Sequence, residues 1–189
     1  MPSAMKKQDP ARNLIKVRGA LALLRAGHKQ VRGLFVEYGK ARLNARKMYL
    51  VSRICSELTV HAQVKEEIFY PAITQALKDE DLVPEIRVKH ATLEELIGQV
   101  EGVEPDGEMF DARIKVLWKY VKHLIQEEQK GIFQKVQATG LDMVELGIQL
   151  ARRMEELLAQ RPRPMNHPNR TKRLRPMLAP SGRAFNGAF

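Results

Sequence analysis

The segment ELTVHAQVKEEIFYP, residues 57–71, decides how this chain folds. Read with the residues just upstream, it sets Val51, Ile54, Leu58, His61, Lys65 and Ile68 at alternating steps of three and four. That spacing is the buried stripe of an amphipathic helix, here with a histidine and a lysine where aliphatic residues belong. Pro71 predicts a kink or an early stop, because its ring has no amide proton and crowds the carbonyl four residues back. The same period recurs on both sides. Leu14, Val17, Leu21, Leu24, His28, Val31 and Phe35 form a first stripe, and Ile86, His90, Leu93, Ile97 and Val100 a third. A fourth runs through Phe110, Leu117, Tyr120, His123 or Leu124, and Glu127.

Each stripe carries one histidine near its middle: His28, His61, His90 and His123, at intervals of 33, 29 and 33 residues. If consecutive segments fold back on one another, mid-helix positions share one depth and the four imidazoles converge. Convergent histidines inside a bundle make a metal site. A single core histidine is more often a hydrogen-bonded packing residue, and only the set of four at one depth points to metal.

Gly39, the run Asp79–Asp81 with Pro84, and the stretch Gly102–Pro105–Gly107 punctuate the stripes. Helices are predicted near 11–38, 44–77, 83–102 and 109–135. The expected fold is all-α: an antiparallel up-down four-helix bundle over 11–136, following a flexible N-terminus at 1–10. An accessory helix at 141–160 carries no histidine; Asp142 is its N-cap, and Glu145 completes a capping-box pattern. Val144, Ile148, Ala151 and Leu157–Leu158 form its expected apolar side. Residues 161–189 hold five of the ten prolines and seven Arg or Lys, with no Asp or Glu, and are read as a disordered basic tail.

That tail accounts for +7 of the net +10, leaving +3 for residues 1–160. Its chemistry suits nucleic acid, an anionic lipid surface or an acidic protein, or a merely solubilising extension. No stretch reaches ~18 uninterrupted apolar residues, which argues against a transmembrane segment. The first residues lack the hydrophobic run of a secretory signal, so the expected compartment is the cytoplasm. Cys55 is the single cysteine; it excludes an internal disulfide and reads as a small core residue. No phosphate-binding glycine loop, nucleophile elbow or paired-cysteine zinc spacing is present.

Carboxylates extend the histidine set. Glu127 follows His123 by four residues, and Glu94 follows His90 likewise, so each pair shares one helix face. The corresponding position after His61 is Lys65. Glu66 and Glu67 come next, but at ~100° per residue they turn away from His61, and only a local π-bulge would bring either into place.

The stretches LLRAGHKQVRGLF (23–35), ELTVHAQVKEEIFYP (57–71), EIRVKHATLEELI (85–97) and YVKHLIQEEQKGIF (120–133) together resemble the hemerythrin family, the HHE cation-binding domain. The resemblance implies an antiparallel four-helix bundle with a non-haem diiron centre that binds dioxygen or serves iron, oxygen, nitric oxide or redox sensing. It implies His28, His61, His90, and His123 with Glu127 as metal ligands, and Glu94 as a marginal one. Lys65 stands where the family has a bridging glutamate.

A fixed ammonium at that place repels a bound cation by ~4 kcal/mol per pair of unit charges at ~4 Å and an effective dielectric near 20. Two readings follow. In one, the protein binds iron, or another divalent metal, as a pair or a single ion at a partly degenerate site. In the other, Lys65 neutralises the site and leaves a metal-poor helical module acting through partner contacts and its basic tail.

Overall fold

The computed structural model describes residues 19–79, 82–105 and 107–161. These residues form helices α1 (Ala20–Lys40) and α2 (Asn44–Val64), a π turn π1 (Lys65–Phe69), then α3 (Tyr70–Leu77) and α4 (Leu82–Gly98). There follow α5 (Glu108–Glu127), a second π turn π2 (Glu128–Ile132), α6 (Phe133–Gln137) and α7 (Met143–Gln160). The π turns join α2 to α3 and α5 to α6 without a break, so the bundle has four rods: α1, α2–π1–α3, α4 and α5–π2–α6. They run antiparallel, up and down, with α7 laid alongside. The expected N-terminal turns from residue 11, the flexible 1–10 segment and the tail beyond Arg161 lie outside the described residues.

Three of the four predicted stripes are the buried faces. Leu21, Leu24, His28, Val31 and Phe35 are buried on α1, and Val51, Ile54, Leu58, His61 and Lys65 on the second rod, where the π turn moves the buried line from the expected Ile68 to Phe69. Ile86, His90, Leu93, Ile97 and Val100 are buried on or just after α4. On α5 the buried line is Phe110, Ile114, Leu117, Val121 and Ile125, a rotation away from the expected Tyr120, His123 and Glu127. Val121 and Ile125 bury wholly apolar side chains, whereas Tyr120 and His123 carry polar atoms that would need partners inside, so the helix turns toward the first pair. The accessory helix α7 likewise buries Leu146, Leu150 and Leu157, while Val144 and Leu158 face solvent. Its Asp142 cap is as expected: the carboxylate accepts from the amides of Val144 and Glu145 at 2.9 and 3.0 Å.

Pro71 leads to π1 in physical terms. It enters in the first turn of α3, and widening the preceding turn to an i→i−5 pattern spares its ring a clash. The Tyr70 amide donates to the Lys65 carbonyl across this wide turn, and the Phe133 amide does the same to Glu128 in π2.

Two apolar clusters fill the bundle. One gathers Leu50, Ile54, Cys55, Phe110 and Leu117; the other gathers Leu24, Val64, Phe69, Phe133 and Leu150. A polar layer lies where they meet, built from His28, His61, Lys65, His90 and Glu128. Helix α7 closes over α1, α2 and π1. A Cβ on Gly147 would come within 2.9 Å of the Ala20 amide nitrogen, so this glycine sets the close approach of α7 to α1. The first apolar cluster also encloses Cys55 completely, and burial pushes its thiol up to about 12. The native protein is therefore expected to resist alkylation by iodoacetamide at pH 8 and to react only on unfolding. Stoichiometric labelling of the folded protein within minutes would contradict this packing.

Candidate metal centre

Lys65 and Glu128 each open one of the two π turns and face one another across the bundle. Their side chains form a buried ion pair through Nζ and Oε1. The Tyr70 hydroxyl donates to the same Oε1 at 2.7 Å. Glu128 Oε2 lies 3.0 Å from His28 Nε2 but outside hydrogen-bonding geometry. His28 and His61 meet edge to face at 4.9 Å between ring centroids, and Phe133 stacks on the far side of His28 at 5.9 Å. The amide of Gln129 sits 3.5 Å from His28 Nδ1.

His61 is the informative residue. It is buried, yet neither ring nitrogen has a hydrogen-bond partner among the described residues. A buried polar group left unpaired costs roughly 1–3 kcal/mol, so such a group signals a missing partner. Gly27 makes room for it: a Cβ there would reach within 2.9 Å of His61 Nδ1. Burial, then Lys65, then His28 hold the His61 imidazole well below its usual range, which leaves it neutral, the form that ligates metal. Glu128 goes the other way. Burial would raise its carboxyl, but Lys65, His28 and His61 together pull it well below the usual carboxylate range, so it stays ionised.

One donor atom from each of His28, His61 and Glu128 lies within 4.8 Å of the others. A void of about 30 Å³ is bordered by these three residues and Lys65 together with seven apolar residues of the four rods, among them Val31, Leu93 and Val121. That is room for one water-sized body. The set of two imidazoles and one carboxylate, with an orphaned histidine and a single small void, fits one cation.

The other residues expected from the sequence are placed differently. His90 is buried in the same layer, with its Nδ1 against Glu66 Oε1, and its ring lies 5.6 Å from that of Tyr70. Burial and Lys65 lower the His90 imidazole, and Glu66 offsets part of this. His123 does not join the layer: its side chain is 65% exposed, and among the described residues it reaches only Glu127, at 3.4 Å. Glu127 turns to Lys89 at 2.9 Å. Glu94 is exposed on α4. Tyr120 donates to the Lys89 carbonyl at 3.0 Å. The correction has one cause on each rod. On α5 the stripe runs through Val121 and Ile125, which makes Glu128, one residue beyond Glu127, the inward carboxylate. On the second rod, π1 swings Glu66 toward His90.

Helix α7 reaches this layer through π1. Arg153 Nε donates to Glu67 Oε2 at 2.6 Å, which ties the accessory helix to the turn that presents Lys65 and Glu66. From the other side a cavity of about 220 Å³ runs from the surface to His90, Tyr70 and Glu128, with Ile86, Leu124 and Ile132 on its walls. Lys89, bridging Glu85 at 2.7 Å and Glu127 at 2.9 Å, stands among its lining residues.

Fold and site define a helical bundle with a buried histidine–carboxylate centre of the kind that holds a cation. The family model of the hemerythrin HHE cation binding domain matches residues 19–136, and the chain belongs to that family. A hemerythrin HHE cation binding domain-containing protein from Mycobacterium kansasii has a similar structure, with a TM-score of 0.65 at 19% identity over 75% of this chain and 88% of that one. A DNA nickase of a Nostoc species is 23% identical over 114 residues, which cover 60% of this chain and 32% of the nickase. No helix among the described residues is long and apolar enough to cross a membrane.

Proposed function

We infer that this protein holds a single divalent iron ion through His28, His61 and Glu128, and that Lys65 fills the place of a second cation. Two histidines and one carboxylate with positions left open are the donor set preferred by non-haem ferrous iron. The observation that carries the reading is His61, buried with both nitrogens unpaired among the described residues and bordering a small void that His28 and Glu128 also line. Iron so held supplies one-electron chemistry and an open coordination position for dioxygen, peroxide or nitric oxide, which suits sensing or detoxification. The protein's own part is to keep His61 neutral and Glu128 ionised, and to offer small molecules a path through the cavity beside Tyr70 and His90. His90, with Glu66 on its Nδ1, stands beside the trio as a supporting group.

Metal-dependent stability tests this. Under anaerobic conditions, ferrous iron at a hundred times its dissociation constant should add about 2.7 kcal/mol to unfolding free energy by linkage. In His61→Ala the folded protein should show no such gain, because the orphaned ligand is gone. An equal gain in His61→Ala would move the binding site elsewhere.

A second reading rests on the Lys65–Glu128 pair itself, which neutralises the carboxylate without metal. On that reading the protein is a metal-poor interaction module whose basic segments contact an anionic partner. The likeness to a DNA nickase supports nucleic acid as that partner. Binding to DNA that weakens steeply with salt and vanishes on removal of residues 161–189 would favour it.

A further inference from the structure

At the far end of the bundle from the histidine layer lies a second cavity, of about 330 Å³, between the end of α1, the start of α2 and the start of α5. Counting along α5 from Glu128, it sits roughly 15–25 Å away at 1.5 Å per residue. Phe35 and Trp118 form its aromatic wall, stacked at 4.7 Å between ring centroids. Phe35 is buried, whereas Trp118 is half-buried and leaves part of its indole accessible.

The charge around this wall is one-sided. Asp111 is its acid, and it is already engaged: Lys47 donates to both of its oxygens at 2.8 Å, and the Tyr38 hydroxyl donates at 2.6 Å. Lys47, then Tyr38, hold the Asp111 carboxyl below its usual range. Arg42 and Lys115 also line the cavity, are exposed, and form no ion pair among the described residues. Lys115 adds a weaker pull on Asp111 from outside ion-pair distance, and an aromatic face beside two cations not held in ion pairs is the arrangement that binds a planar ring bearing an anionic group, by stacking and charge together. The volume accommodates a ligand of nucleotide or aromatic-acid size and is separate from the metal centre.

We propose that this cavity binds a small planar aromatic anion, with Trp118 stacking on the ring and Arg42 and Lys115 receiving the anionic group. The ring with its anion is the shared chemistry, and it comes either as a mononucleotide or as an aromatic carboxylate. Trp118 is the chain's single tryptophan, so its fluorescence reads this cavity directly. The full-length protein is titrated with adenosine monophosphate, with benzoate, and with adenosine and inorganic phosphate as half-ligands, under excitation at the red edge of indole absorption. The expected result is saturable quenching by one or both aromatic anions at sub-millimolar concentration, and at least tenfold weaker binding of either half-ligand. Which anion binds more tightly identifies the source of the ligand. Arg42→Ala with Lys115→Ala, both exposed and outside the metal centre, should weaken that binding at least tenfold and remove its salt dependence. Trp118→Phe should retain binding by calorimetry while losing the optical signal. The proposal is overturned if neither aromatic anion quenches saturably, if adenosine binds as tightly as its monophosphate, or if the double variant binds unchanged.

Discussion

Glu128→Ala should lower the unfolding free energy of the metal-free protein by roughly 3–5 kcal/mol, the largest single-residue effect we expect. Lys65 and Glu128 are both almost fully buried, with side chains 7% and 8% exposed. Removing the carboxylate leaves an ammonium in the core without counter-charge and deprives the Tyr70 hydroxyl of its acceptor. The loss reflects that stranded charge more than the worth of the pair. Adding Lys65→Met to Glu128→Ala should therefore recover most of the stability, because a buried pair replaced by apolar side chains is often neutral. Urea unfolding of the two single variants and the double variant measures the coupling. A cost under 1 kcal/mol for Glu128→Ala would mean that the pair is solvated and the polar layer open.

The second large effect concerns the number of ions held. Two ferrous ions bring four positive charges, and neutral imidazoles bring none to offset them. Glu128 alone, already shared with an ammonium, cannot balance that charge in a buried layer. Lys65→Glu removes a cation and adds a carboxylate on the same inward face, four residues after His61. Bound iron should rise from one ion per chain toward two, with new near-ultraviolet charge-transfer bands once air oxidises the loaded pair to the ferric state. Without metal the same change places a second unpaired carboxylate beside Glu128, so Lys65→Glu should melt well below the wild type until iron is added. If Lys65→Glu leaves both iron content and spectrum as they were, Lys65 does not govern the number of ions bound.

Much of the fold is legible in the sequence. The stripes of α1, α2 and α4 contain enough apolar residues at helical spacing to admit one register, and they place His28, His61 and His90 inside as expected. Lys65 also reads correctly, because it continues the line from Leu58 and His61. On α5 two lines compete: Tyr120–His123–Glu127 is amphipathic, and Val121–Ile125 is apolar. Chemistry favours the first for its ligands, but burial of aliphatic area favours the second. Following Val121 and Ile125 onward by three residues arrives at Glu128, so the signal was in the sequence and was outweighed by the histidine.

The π turns explain the rest. A regular helix points Glu66 away from the layer, and only the wider turn before Pro71 brings it to His90. Pro71 marked that irregularity without stating its form; Gly131 is the corresponding mark in π2. The pairing of Glu67 with Arg153 of α7 joins residues 86 apart and has no local signature.

Elemental analysis of the full-length protein after anaerobic ferrous loading and removal of free metal decides whether His28, His61 and Glu128 hold one ion while Lys65 takes the place of another. One iron per chain is expected in the wild type and none in His61→Ala. Two irons per chain in the wild type, or one retained in His61→Ala, would contradict that arrangement.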